Sequence, residues 1–250
     1  MTIPLLDVFA HAVPRVPFPL KPGIPLIVGS FGDSSSLASI PLDRVRKSCD
    51  IVEIRLDLLP SQSISSENRP WQHLEDMPLL FTARRASEGG SGELKAETRM
   101  SMIRSVIEDA SLVDIEVASI PEMQPLIDEL NKAKIPWIAS FHDFEKAATP
   151  DFLSAKRMAA RNAGAAGFKA AVELGWEMDQ LAPLALFLQQ STDYPVSLMG
   201  MGPLAPVSRL LFGQLGSVLN YGYLGKTPTA PGQWSALQLK EAIENVARAS

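Results

Sequence analysis

Lys169 is the only polar side chain in the run Ala165-Ala166-Gly167-Phe168-Lys169-Ala170-Ala171-Val172. A lysine inside an apolar strand is seldom buried without a use. Burial disfavours the ammonium and lowers its pKa, and the neutral amine that results attacks carbonyls to form imines. The alternative is a lysine at a strand end that reaches out to water. His142 closes the next apolar run upstream, in Ser140-Phe141-His142-Asp143-Phe144. His11 and His73 are the only other histidines, and neither ends such a run. If the two runs are adjacent strands, their backbones lie about 4.8 Å apart. An imidazole then stands beside an amine, a pairing suited to moving protons next to an imine. The alternatives are a structural histidine and a metal ligand. His142, Asp143 and Glu145 lack a second well-placed histidine for a metal.

Further charges interrupt apolar runs. In Ile51-Val52-Glu53-Ile54-Arg55-Leu56-Asp57 they alternate with aliphatics. Side chains two apart on a strand share a face, so Glu53, Arg55 and Asp57 share one and Ile54 and Leu56 the other. A charged face turned inward is costly unless its charges are paired or used. An exposed antiparallel strand with a wet face is the alternative. Phe81-Thr82-Ala83-Arg84-Arg85-Ala86-Ser87-Glu88-Gly89-Gly90 carries two arginines and a carboxylate into a Gly-Gly pair. Later come Ser208-Arg209 and Ala230-Pro231-Gly232-Gln233. Arg209 is able to fork onto a carboxylate. Met199 and Met201 share a face if their strand extends that far.

These residues need a scaffold, and the pattern supplies one. Eight short apolar runs read as strands: Pro25–Ser30, Ile51–Leu58, Pro78–Ala83, Leu112–Val117, Pro136–Phe141, Ala165–Val172, Val196–Met199 and Gly216–Tyr221. Helical spacing is found in Asp43–Cys49, Leu94–Asp109, Glu122–Lys134, Asp151–Asn162, Met178–Gln189, Leu204–Phe212 and Ser235–Ala247, and is weakest in Ser61–Asp76. Thr149-Pro150 and Ser119 with Pro121 read as helix starts, and Gly164 as a helix stop. Alternating strands and helices imply parallel pairing with right-handed crossovers, and eight units in about 250 residues suit a single-domain (β/α)8 TIM barrel. In such barrels the C-terminal rim of the strands carries catalysis. An open doubly wound sheet is the alternative, but Phe31-Gly32-Asp33 is not the glycine-rich phosphate loop such sheets usually carry.

Composition narrows the function classes. The chain is 46% hydrophobic and 20% charged, with formal net charge −5. It has no Lys/Arg-dense stretch, so nucleic acid is not an expected partner. An anionic substrate needs a local cationic cluster. Cys49 is the only cysteine, so neither an intrachain disulfide nor a Cys-based zinc site is expected. No apolar run reaches about 18 residues, and Met1–Leu20 does not read as a signal peptide.

The strings around Glu53–Asp57, Phe81–Gly90, Asp114-Ile115-Glu116, Ser140–Phe144, Phe168-Lys169, Met199-Gly200-Met201, Ser208-Arg209 and Ala230–Gln233 occur in one order. In that order they resemble the type I 3-dehydroquinate dehydratases from about Pro25 to Gln233. The resemblance implies a cofactor-free lyase. Lys169 forms an imine with the C3 ketone of 3-dehydroquinate. His142 takes a C2 proton and helps the C1 hydroxyl leave in a syn elimination, and Glu88 partners His142. Glu53, Arg55 and Arg84 hold ring hydroxyls. Arg209 and Gln233 hold the substrate carboxylate, with Thr229 and Ala230 nearby. Ser30 lies in the pocket, and Met199, Met201 and Tyr221 form its walls. The same resemblance implies a cytoplasmic homodimer, a place in the shikimate pathway, no metal, and a barrel over the whole chain with an N-terminal extension of about residues 1–22.

The chain departs from the family at Tyr221, where phenylalanine is usual, and at Thr229, which replaces a serine. Ala205 stands where glycine is common, Ser91–Ala96 is altered, and there is one extra residue between Tyr221 and Pro231. These bear on loop closure over substrate. Two competing readings remain at this level. One is a class I aldolase-like enzyme, which usually contacts a phosphate through glycine-rich loops. The other is a non-catalytic homologue, which typically loses the lysine or the histidine.

Overall fold

The computed structural model describes residues 20, 21, 23, 25–60, 69–74, 76–145, 148–226, 228–230 and 232–249. The expected extension over about residues 1–22, together with His11, falls almost wholly outside them, as does Pro231. Eight parallel strands form a nearly closed barrel: β1 (Leu26–Phe31), β2 (Ile51–Arg55), β3 (Leu79–Thr82), β4 (Leu112–Glu116), β5 (Trp137–Asp143), β6 (Gly167–Glu173), β7 (Val196–Met201) and β8 (Leu219–Tyr223). Regular ladders run from β7 round through β1 to β8. The β7–β8 seam is closed differently. Val218 N donates to Val196 O at 2.9 Å, Leu198 N to Ser217 Oγ at 3.0 Å, and Leu219 N to Ser197 Oγ at 3.0 Å. Serine hydroxyls thus stand in for part of a ladder.

The helices are α1 (Ser34–Ser39), α2 (Leu42–Ser48), α3 (Ala96–Arg104), α4 (Gln124–Lys132), α5 (Pro150–Asn162), α6 (Leu181–Gln190), α7 (Ala205–Gln214) and α8 (Ala236–Ala249). Both α1 and α2 follow β1, among the described residues β2 and β3 are joined without an α-helix, and from β3 onward one helix follows each strand. Two apolar clusters hold the layers. The larger joins strands to helices, with Ile54, Phe81, Ile115, Trp137, Phe168 and Leu198 among its strand members. Burying each large apolar side chain there contributes about 1.5–3 kcal/mol. The smaller plugs the barrel interior with Val28, Ile51, Leu80, Leu112, Ile138 and Leu219. Above that plug the inward side chains become polar: Ser30, Glu53, Thr82, Asp114, Ser140 and Lys169, all buried. Alternation along each strand produces this layering, because the residue two beyond a plug residue points the same way.

Several boundaries differ from the sequence reading. β2 ends at Arg55, and Leu56–Leu58 is a 3₁₀ turn. Asp57 accepts from Arg84 N and Ser91 N, each at 3.1 Å, which bends the chain out of the strand. The third helix is shorter than the spacing suggested, ending at Arg104. Ser119 is not a helix cap, because its hydroxyl donates to Glu116 and accepts from Arg99. α4 instead begins at Gln124 with Pro125 in its first turn. α1 was not anticipated; Asp33 caps it by accepting from Ser36 N at 2.7 Å. Thr149 caps α5, with Pro150 following, and Gly164 adopts φ 82 just past its end. No helix among the described residues is long and apolar enough to cross a membrane.

Candidate active site

A cavity opens at the C-terminal rim of the strands. It is lined by Ser30, Glu53, Arg55, Arg84, Glu88, His142, Lys169, Met199, Met201, Arg209, Tyr221, Thr229, Ala230 and Gln233. Each site residue anticipated from sequence therefore borders the same space. Gly89, Phe144 and Ala171 line it too and were not anticipated there. Ala171 was findable in principle, since it lies two beyond Lys169 on the same face of β6.

Lys169 is buried on β6, opposite Ser140 of β5 and Ser197 of β7. Its Nζ donates to Asp114 Oδ2 at 2.9 Å and stands 4.2 Å from the centroid of the Tyr221 ring. Burial pushes the amine below the usual 10.5 of a lysine, and Arg84 adds to the shift, while Asp114 resists it. Asp114 was quoted among the matching strings without a role, yet it is the direct partner of the amine. Burial works against its charge, but Arg84 and Lys169 outweigh it and hold the carboxyl far below the usual range.

His142 lies near the end of β5. Its ring Nδ1 is 3.0 Å from Glu88 Oε2, and its backbone N donates to the same oxygen at 2.9 Å. When Glu88 is ionised, Nδ1 carries the hydrogen and Nε2 is left as a free base. Burial lowers the imidazole pKa well below 6.5, helped by the charges of Arg84 and Lys169, so the ring is neutral. Burial also pushes Glu88 up to about 7. Glu88 ends the 3₁₀ turn Ala86–Glu88, which Gly89 closes at φ 84. A side chain at Gly90 would come within 2.1 Å of Arg84 O, so this turn requires the second glycine.

The guanidiniums divide into two kinds. Arg84 Nη1 donates to Asp114 at 2.8 Å, Glu116 at 3.2 Å and Ser140 at 2.6 Å. Burial opposes its charge, but Asp114 and Glu116 more than compensate and raise its pKa. Arg55 forks onto Asp57 at 3.0 and 2.8 Å and reaches Gly89 O at 3.0 Å. Arg209, on α7, is different. Its Nη1 donates to Tyr221 O at 3.0 Å, its Nε has no partner among the described residues, and it forms no ion pair with a carboxylate there. Burial alone lowers its pKa to about 10. Nearby, Gln233 Oε1 accepts from Thr229 N at 2.9 Å and Thr229 Oγ1 at 3.0 Å, which directs its amide hydrogens elsewhere. Glu53 is held by Ser30 and, at 2.8 Å, by Thr82. Among the described residues no His/Cys/Asp/Glu group is arranged to hold a metal ion. His73 lies apart, its Nε2 3.0 Å from Ile40 O.

A buried amine, a neutral imidazole with a carboxylate behind it, and an uncompensated guanidinium can together bind an anionic carbonyl compound, capture it as an imine and move a proton beside it. Comparison with known proteins gives the family. A family model described as "Type I 3-dehydroquinase" matches residues 31–249. The chain is 36% identical over 221 residues to a 3-dehydroquinate dehydratase of Methanothrix thermoacetophila, covering 88% of this chain and 91% of that one. It is 32% identical over 212 residues to one from Staphylococcus carnosus, covering 81% and 88%. A crystal structure of the 3-dehydroquinate dehydratase from Geobacillus kaustophilus superposes with a TM-score of 0.80 at 21% identity, covering 90% and 92%. The Aquifex aeolicus structure gives 0.76 at 24%, covering 89% and 99%.

Proposed function

The chain belongs to the type I 3-dehydroquinase family, and on that premise we propose that it dehydrates 3-dehydroquinate to 3-dehydroshikimate through an imine on Lys169. It is a carbon–oxygen hydro-lyase of the shikimate pathway. The observation that carries the imine reading is a buried Lys169 and a largely enclosed His142 bordering one cavity, with the amine's pKa depressed and the imidazole held neutral.

The residues divide the work as follows. Arg209 and Gln233 take the substrate carboxylate, beside Thr229 and Ala230. Lys169 loses its proton, attacks the C3 ketone, and expels the carbonyl oxygen as water to leave a protonated imine. That nitrogen accepts electrons as His142 Nε2 removes the C2 proton on one face. The imidazolium then protonates the C1 hydroxyl, which departs as water. Hydrolysis of the imine frees the enone. Glu88 fixes the imidazole tautomer throughout. Arg55 and Glu53 face the ring hydroxyls, and Arg84, its Nη1 committed to neighbours, contributes mainly charge. Ser30, Met199, Met201 and Tyr221 shape the walls. The same family membership supports a cytoplasmic homodimer acting without a cofactor; light scattering on the purified protein tests the dimer.

Borohydride added with substrate or product tests the imine directly. A stable adduct on the Lys169 peptide is expected, together with loss of enone formation in Lys169→Ala. Label on another peptide, or an active Lys169→Ala enzyme, rules the reading out.

A further inference from the structure

Tyr221, on β8, turns the face of its ring to the reactive amine, with Lys169 Nζ 4.2 Å from the ring centroid. Both side chains are buried, so little water competes for the contact. The phenol oxygen is also buried and makes no hydrogen bond among the described residues. What this side chain offers the site is therefore its ring face. An aromatic face attracts a cation through its quadrupole, more strongly when both are desolvated.

Nζ changes charge during imine chemistry. It is neutral as the attacking amine and in the carbinolamine, and positive in the protonated imine. When the carbinolamine collapses, its C–O bond breaks and the nitrogen lone pair forms C=N. The oxygen leaves as water with the proton that the Lys169 ammonium first gave up to His142, and the positive charge comes to rest on nitrogen. A group that stabilises charge at this one atom deepens the iminium relative to the carbinolamine and to the neutral amine with free ketone, but not relative to the ammonium. Asp114 supplies one such contact at 2.9 Å.

We propose that Tyr221 is a catalytic residue whose ring face, in contact with Nζ, stabilises the protonated imine. This rests on the reading of Lys169 as the imine-forming residue. The role is thermodynamic, so it is measured on the bound equilibrium. The enzyme is equilibrated with the enone product at subsaturating concentration, at a pH high enough for free Lys169 to be neutral, and reduced with borohydride. The fraction of labelled Lys169 peptide is then read by mass spectrometry.

Tyr221→Leu is expected to lower the iminium equilibrium constant by about 10-fold. Tyr221→Phe, which keeps a ring face, recovers most of it. Tyr221→Phe bearing one, two or three ring fluorines loses it stepwise, although shape is nearly constant; packing alone would not produce that gradient. Equal iminium populations across the fluorinated series overturn the proposal, as does a wild-type constant in a folded Tyr221→Leu. No adduct on Lys169 in the unaltered enzyme sinks the imine reading, and the ring's role with it.

Discussion

Lys169 Nζ and Asp114 Oδ2 lie 2.9 Å apart inside a barrel that shields both from solvent. Asp114 also receives Arg84 and Ser140, so one carboxylate compensates two buried cations. This sets a conflict, because the charge that steadies the ammonium opposes its conversion to a nucleophile.

Asp114→Asn resolves that conflict in a measurable way. It leaves Arg84 and Lys169 short of a counter-charge, which is expected to cost about 3 kcal/mol of stability in urea unfolding. It also removes the main influence raising the amine's pKa. The step in kcat/KM set by ionisation of Lys169, distinct from that of Glu88, then moves to lower pH. An unshifted limb would mean that the carboxylate does not govern the amine.

Glu88 gives a second pH signature. In the folded chain it titrates near 7, raised by burial from 4.5. Below 7 a protonated Glu88 can donate to His142 Nδ1, which moves the ring proton to Nε2 and removes the base. Activity should therefore rise with pH through an inflection near 7. Stability runs the other way. The native state holds this proton more tightly than the unfolded chain, so its contribution is full below 4.5 and is lost as pH rises through 7. In Glu88→Gln the inflection should vanish and kcat fall by about 10- to 100-fold, part of the roughly 10²–10⁴ that general-base catalysis supplies. An unaltered pH–rate profile would remove Glu88 from the role.

Part of this site is readable because strand alternation is a strict rule, while Glu88, Ser30, Tyr221, Thr229 and Ala230 enter only through the family resemblance. Lys169, Glu53 and Arg55 interrupt apolar runs, and a parallel barrel turns such interruptions inward. Asp114 and Glu116 alternate in the same manner, yet nothing local tells which of them meets the lysine. That depends on the stagger of β4 against β6, two strands away, which barrel closure fixes. The turn at Leu56–Leu58 was hidden for a similar reason. It forms because Asp57 collects backbone amides from residues 84 and 91, and no window around Asp57 contains them. Tyr221 reads from sequence as a wall, and only the coordinates bring its ring over the amine.

Gly90 tests the positioning of Glu88 from a distance. An added methyl would meet Arg84 O at 2.1 Å and Arg85 C at 2.8 Å, both backbone atoms that cannot swing aside. Gly90→Ala must shift the turn that carries Glu88 against His142. Displacing a catalytic group by about 1 Å can cost about 100-fold. The expectation is a fall in kcat larger than any rise in KM, with Arg209-dependent anion binding retained. A variant with unaltered kcat would show that the turn tolerates displacement.

Arg209 has no counter-ion among the described residues. It is fully buried, with a backbone carbonyl as its one described hydrogen-bond acceptor and burial alone pulling its pKa to about 10. A buried cation in that state is a cost to folding that a bound carboxylate recovers. Arg209→Met should therefore unfold at an equal or higher urea concentration than the parent, while KM for substrate rises by about 100-fold as a charged contact is lost. Small carboxylates should raise the melting temperature of the parent and leave that of Arg209→Met unmoved. Because a guanidinium keeps its charge across the accessible pH range, the anion-induced stabilisation should persist at neutral and alkaline pH. A parent indifferent to carboxylates, or a variant that still responds to them, would place the anion site elsewhere in the cavity.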